Sequence, residues 1–371
     1  MDDFTSALYL GFRHPSSHVS PWQQLTTGIP AALEEPPINQ WVANQVAKMQ
    51  GLETGVISPS SLHLYWDVLG QARESTLILA DDKSYAVARW GLERAAARGA
   101  KVVYFKHQDA QDLSLRLRQY VPRKGSLLVV TDGWCPHCGK PAPLPEYLSV
   151  SREYGGSLLI DDTQALGVLG ARPTTELPGG KGGGGLLQWY NTQRENIMTI
   201  CSLAKGLGVP LSILSASQQQ IARFKSQSET RVHCSPVSAA HVQAASLALA
   251  ENRRLGNLRR LKLYENVTLF RESLAGFGIP SKGSFFPVQT VKLPSRTNPY
   301  ATYQRLRSMG IRPLLLEPHQ GQKADIGLCL TALHSPEQIT RAATCIYEAI
   351  QTGQRKAQRY VRTITPMPSR L

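Results

Sequence analysis

The sequence predicts an α/β fold: a mostly parallel central sheet covered by helices, followed by a smaller α+β C-terminal unit. Two observations lead there. Short apolar runs alternate with helically spaced patterns from residue 75 to about residue 215, and such runs read as strands buried on both faces. Strand–helix–strand alternation requires crossover connections, which are the connections of a parallel sheet.

The elements follow in order. Ser75–Ala80, Lys101–Phe105, Ser126–Thr131, Ser157–Ile160 and Ile197–Cys201 are the predicted strands. Between them Tyr85–Arg98, Asp109–Tyr120 and Leu144–Tyr154 carry apolar residues at helical spacing. Residues 179–185 (GGKGGGG) are too glycine-rich for a regular element and read as a mobile loop. No strand closely precedes that loop and no Ser or Thr follows its lysine, so it is not a phosphate loop. A long helical pattern runs from about residue 246 to Leu274. Strands at Phe285–Val291, Ile311–Leu316 and Gly327–Thr331 follow, with helices near Pro299–Met309 and Pro336–Thr352. The chain thus divides into an N-terminal segment 1–45, a large domain 46–245, a small domain 246–352 and a basic tail 353–371. That tail is Pro-rich at its end and is expected to be poorly ordered.

Composition excludes several classes of function. The 371 residues are 42% hydrophobic, enough for a substantial core. No run reaches the ~20 apolar residues of a membrane span, and the acidic start MDDFTSALYLGF lacks the pattern of a secretory signal. Six scattered cysteines make no disulfide framework, so a reducing cytoplasm is the expected location. The net charge of +14 is spread along the chain, with modest clusters at Arg253–Lys262 and Arg355–Arg362. A solvated basic surface explains it better than nucleic-acid binding, for which no local signature exists. Attraction to a phosphorylated cofactor, a coenzyme A thioester or an acidic carrier protein is a further reading.

Two segments carry chemistry. Asp161 ends the apolar run of Leu158–Ile160, and Lys205 lies in SLAKGLG just after the run Ile197–Cys201. Both therefore fall at the carboxyl edge of the predicted sheet, where ligands bind in such folds. A lysine amine and a carboxylate are the two groups that pyridoxal phosphate requires. The amine forms a Schiff base with the cofactor aldehyde, and the carboxylate keeps the pyridinium nitrogen protonated.

At these residues the chain resembles the α-oxoamine synthase family of fold-type-I pyridoxal-phosphate enzymes. TDGWCPHCGKPAPL (131–144) is similar to the family's T-(D/E)-G-x-F-S-M-D-G-x-x-A-P-L, and LLIDDTQALGVLG (158–170) to its V-D-(D/E)-A-H-x-x-G-x-x-G. SLAKGLG, GSFFPVQTV (283–291) and LTALHSPEQITRA (330–342) resemble further family segments, all in the family's order. The resemblance implies a Schiff-base role for Lys205 and a pyridinium partner in Asp161. It puts Ser202 near the phosphate or phenolic oxygen, and Ser60 and Ser61, in VISPSSLH, at the phosphate loop. Tyr85 takes the place of a ring-stacking histidine, which tyrosine can replace. Ser235 matches a serine that reaches the partner subunit's phosphate, implying a homodimer.

The departures are as informative. The family histidine of D-x-A-H is Gln164, which can hydrogen-bond but cannot exchange a proton near neutral pH. The family serine in F-S-M-D is Pro136. The arginine that binds the substrate carboxylate aligns with Gly327, and a preceding arginine with Asp325. Loss of that bidentate clamp implies an unusual amino substrate, a carboxylate held elsewhere, or altered chemistry. Arg312 and Lys323 are candidate replacements, with plain surface charge as the alternative.

Other residues read more modestly. Asp162 is expected to be solvated or to cap a helix. His107 lies in an F-x-H-x-D pattern that, by the resemblance, caps the next helix, so its role is expected to be structural, as is that of His334. For Cys135 and Cys138, chance spacing is preferred over pocket lining or a redox pair; zinc would need a second ligand pair, and no metal is expected. The resemblance thus implies a transferase that condenses an amino acid or amine with an acyl thioester of coenzyme A or a carrier protein. Lys205, Asp161 and Gln164 would form its catalytic centre. Another pyridoxal-phosphate reaction (transamination, decarboxylation or C–C cleavage) and a catalytically degenerate partner subunit stay open.

Overall fold

The computed structural model of the chain describes residues 1–120, 125–295, 297–316 and 324–364, with side chains described as far as residue 352. Two compact units are present. The larger comprises residues 10–135 and 141–259, the smaller residues 1–9, 136–140 and 260–371.

A seven-stranded sheet organises the larger unit: β1 (Thr54–Ser58), β2 (Thr76–Asp81), β3 (Lys101–Phe105), β4 (Ser126–Asp132), β5 (Ser157–Asp161), β6 (Ile197–Ser202) and β7 (Ser212–Ala216), in the spatial order β1-β7-β6-β5-β4-β2-β3. From β3 to β6 all neighbours are parallel, while β7 is antiparallel to both β6 and β1. The five predicted strands all appear within a residue or so. Four of the runs are largely buried, as at Leu77–Ala80 and Leu158–Ile160, because helices cover both faces, whereas the edge strand β3 is exposed at Lys101 and Tyr104. Helix α1 (Pro37–Gln50) precedes β1, and β2, β4, β5 and β6 pack one face against α2 (Ser61–Gly70) and α3 (Ala86–Ala97), where Ile78, Val130, Leu159 and Ile200 meet Leu64, Tyr65, Leu69 and Leu92. From β2 the chain steps outward to β3 and then back across β2 to β4. That reversal opens a crevice at the carboxyl ends of β2 and β4.

The glycine-rich segment departs from expectation. Residues 179–185 form a pinned loop rather than a mobile one. Gly183 O accepts from Gly167 N at 2.8 Å, and Gly185 N donates to Leu169 O at 2.8 Å. On the other side Gly182 N donates to Asn257 Oδ1 at 3.0 Å. Its glycines answer close contact: a Cβ at Gly184 would lie 2.1 Å from Met49 O. Composition suggested mobility, but tertiary hydrogen bonds fix the loop.

In the smaller unit, β8 (Ser281–Lys282), β9 (Val288–Val291), β10 (Leu314–Leu316) and β11 (Asp325–Cys329) form an antiparallel sheet ordered β8-β9-β11-β10. Its core joins Val291, Ile326 and Leu328 to Leu306, Ile339, Ile346 and Ile350 of the covering helices. The long helix Ala239–Gly276 begins seven residues before the predicted start, and the division between the units falls inside it. The last helix, Pro336–Ile364, takes in residues 353–364 of the expected tail; residues 365–371 lie outside the described ones. Among the described residues no helix is long and apolar enough to cross a membrane.

Candidate active site

Strand register places two carboxylates side by side. Asp132 ends β4 and Asp161 ends β5, paired across the parallel ladder. Asp161 is buried; its Oδ1 accepts from Thr163 N at 2.9 Å and its Oδ2 from Tyr65 Oη at 3.2 Å. Asp132 Oδ1 accepts from Tyr85 N at 3.2 Å. Burial, and then the neighbouring Asp161, push the Asp132 carboxyl well above the usual carboxylate range. Sequence reasoning missed both Asp132 and Tyr65. Asp132 lay in the quoted TDG motif at a strand end, which was its available signal. Tyr65 gave none: it is an apolar-face residue of α2 that meets Asp161 only through folding.

The lysine loop packs against the turn that follows Asp161. Ser202 N donates to Thr163 Oγ1 at 3.0 Å. A Cβ on Gly206 would stand 2.3 Å from Leu166 O, so glycine is what lets the two backbones approach. Within the loop Leu203 N donates to Leu211 O at 2.9 Å and Val209 N to Leu203 O at 3.1 Å. Lys205 and Gln164 are both partly buried on these two facing turns, and Ser202 Oγ accepts from Ala204 N at 3.3 Å.

The serine loop leads into α2. Ser58 is buried, and Ser60 and Ser61 are partly buried. Ser60 turns its Oγ to His63 Nδ1 at 2.8 Å instead of capping the helix. The first-turn amides of α2 thus lack a side-chain cap and are available to an anion. α2 therefore connects an anion-ready end to Tyr65, which holds Asp161. Tyr85 leads into α3 with its side chain 58% exposed, so its ring can meet a ligand. Ser235 is exposed and lines a pocket with Ser58, Pro59, Arg231 and Cys234.

One of the two alternatives for Asp162 needs correction. Asp162 is fully buried, not solvated. It does receive the first amide of the helix Leu186–Tyr190, with Leu186 N 3.2 Å from Oδ1, and also Gln50 Nε2 at 3.2 Å. Burial raises its pKa to about 7 against the pull of those bonds. The F-x-H-x-D segment does cap the next helix, through Asp109 Oδ1, which accepts from Gln111 N and Asp112 N. His107 Nδ1 instead meets the buried Asp81 at 2.8 Å. Burial opposes its charge, but hydrogen bonds to Asp81 and Cys135 raise its pKa to about 9.

In the smaller unit His334 is structural, stacked on Phe4 with Nε2 2.9 Å from Asp3 O. Gly327 sits mid-strand in β11, paired with Thr290 and Leu314. A Cβ there would meet Leu316 Cδ1 at 2.8 Å, so the position expected to bear an arginine is covered by leucine. Arg312 lies 3.9 Å from Asp3, and Lys323 is outside the described residues.

The donor set fits pyridoxal phosphate: a buried carboxylate for a ring nitrogen, a lysine on the facing turn, and an uncapped helix N-terminus beside serines for a phosphate. No family model matches the chain. It is 27% identical over 361 residues to the 8-amino-7-oxononanoate synthase of Pectobacterium atrosepticum, covering 94% of this chain and 88% of that one. A serine palmitoyltransferase structure from Sphingomonas wittichii superposes with a TM-score of 0.83 at 18% identity, covering 95% and 88%. An 8-amino-7-oxononanoate synthase structure from Francisella tularensis gives 0.73 at 19% identity, covering 95% and 98%. The two solved structures share the fold, and the sequence relative spans nearly the whole chain. Along nearly its whole length the chain is thus similar in sequence to an 8-amino-7-oxononanoate synthase, and it shares its fold with a serine palmitoyltransferase and a second 8-amino-7-oxononanoate synthase.

Proposed function

We propose that this enzyme condenses an amino acid or amine with an acyl thioester of coenzyme A or a carrier protein, in a specialised biosynthetic pathway. Lys205 and Asp161 are its central residues. The observation that carries the reading is the backbone packing of the Lys205 loop on the turn after Asp161, with Ser202 N bound to Thr163 and Gly206 against Leu166. That contact keeps an amine and a buried carboxylate on facing turns.

Bound there, pyridoxal phosphate would act as the electron sink for charge developing on the substrate carbon. Lys205 Nζ would hold the cofactor and, once free as an amine, would take the proton from the carbon beside the substrate nitrogen. Asp161 would accept the ring N–H, and Tyr65 and Thr163 fix its carboxylate. Asp132 is pushed toward its neutral form by burial and by Asp161, which favours keeping the charge of this strand edge on Asp161. Ser60, Ser61 and the first turn of α2 take the phosphate, with Ser202 nearby, and Tyr85 offers a stacking face. Gln164 donates a hydrogen bond without exchanging a proton. Ser235 serves the site of a second copy in a homodimer, and the enzyme works in the reducing cytoplasm. The leucine over Gly327 favours an amino substrate whose carboxylate, if present, is bound elsewhere. It equally supports a second reading, in which the same residues serve transamination, decarboxylation or C–C cleavage.

The two readings separate by thiol release. The cofactor-loaded enzyme is mixed with a panel of amines and acyl-coenzyme A esters, and free thiol and product mass are followed. Amine-dependent thiol release with a product mass equal to the joined fragments is expected. Amine turnover without thiol release would overturn condensation in favour of the second reading.

A further inference from the structure

We propose that residues 10–14 form a strap that positions the Lys205 loop, with His14 as its contact residue and Arg259 as its anchor. The proposal rests on the reading of Lys205 given above. His14 Nε2 lies 2.8 Å from Leu207 O, two residues beyond the lysine and 193 residues away in sequence. A carbonyl only accepts, so His14 is the donor and its proton sits on Nε2.

The strap is tied at its other end. Arg259 Nη1 donates to Leu10 O at 2.9 Å and to Gly11 O at 3.1 Å. Its guanidinium also lies 4.9 Å from the centre of the Phe12 ring, within cation–π range. Leu10, Gly11 and Phe12 are all buried, so the segment is docked and not merely passing over the surface. Arg259 lies within the helix Ala239–Gly276. On its far side the loop is packed against Leu166 and Gly167. The Lys205 loop is thus gripped from two directions: by the turn after Asp161, and by the N-terminal strap through Leu207.

A loop held this way has a local opening equilibrium that the strap biases. Losing one such hydrogen bond raises opening roughly 3- to 10-fold. The amides of Leu203, Val209 and Leu211 report it, since each donates within the loop. The test is hydrogen exchange of these three amides in the full chain, with thermal stability alongside. His14→Ala and Arg259→Ala should each speed exchange roughly 3- to 10-fold. The double variant should be no worse than the more severe single, because both changes release one strap. His14→Gln, whose amide N–H can still donate, should restore most of the protection.

A second readout is the rate at which bound pyridoxal phosphate is lost, expected to rise in the same order. Unchanged exchange in both single variants overturns the proposal, as does additive loss in the double variant. Altered exchange without any Lys205-dependent cofactor binding would sink the reading of Lys205 and leave the strap standing. Cofactor binding at Lys205 with unaltered exchange would do the reverse.

Discussion

Replacing Gly185 with alanine strikes the contact that braces the Asp161–Asp162 strand end from behind. Gly185 has φ +79° and ψ −165°, a region open essentially to glycine, where another residue costs roughly 1–3 kcal/mol. A Cβ there would lie 1.8 Å from Asp162 Oδ2, so the carboxylate must move. Moving it strips two buried donors of their acceptor, Leu186 N and Gln50 Nε2, at roughly 1–3 kcal/mol each. The lower bounds alone give a loss of about 3 kcal/mol. Gly182→Ala is the matched control. Its φ is +84°, yet nothing lies within 4 Å of its Cβ position, so only the backbone penalty of about 1–2 kcal/mol applies. Urea unfolding of both variants, followed by tryptophan fluorescence, measures the difference. Equal losses in the two variants would refute the packing argument.

Three further outcomes are expected. Tyr65→Phe removes one of the two donors to Asp161 and should cost about 1–3 kcal/mol of stability, and it should also weaken pyridoxal phosphate binding in a fluorescence titration. Because Asp162 has a folded pKa of about 7, above the usual carboxylate value near ~3.9, its contribution is complete below that lower value and lost as pH rises toward 7. The fall in stability between pH ~4 and ~7 should therefore flatten in Asp162→Asn, and a slope equal to the wild type's would contradict the assignment. His107, raised to about 9, gives a contribution complete below pH ~6.5 and lost through about 9. Its replacement by Gln should flatten that later decline.

Much of this was legible in the sequence. Four of the five predicted strands were readable because burial on both faces leaves unbroken apolar runs, as in Leu158-Leu159-Ile160, and the edge strand Lys101–Phe105 by its place in the strand–helix alternation. Asp161 and Lys205 were readable because they follow such runs directly. β1 and β7 escaped because Thr54–Ser58 and Ser212–Ala216 are short and interrupted by Gly and Ser, and pairing of β7 with both β1 and β6 is what holds them in the sheet. The glycine loop misled because composition reports intrinsic freedom, while its order comes from partners such as Asn257, far along the chain. Asp162 looked solvated because nothing local tells which of two adjacent acidic residues is enclosed. Tyr65 and His14 act at separations of 96 and 193 residues, beyond any local pattern.

The central claim is that Lys205 is the residue to which the cofactor attaches. The protein is mixed with pyridoxal phosphate, its visible absorption recorded, and the complex reduced with borohydride and digested for mass spectrometry. A visible band absent from Lys205→Ala, with the reduced cofactor on the peptide containing Lys205, is the predicted result. No band in the wild type, or attachment to another lysine, would contradict the account.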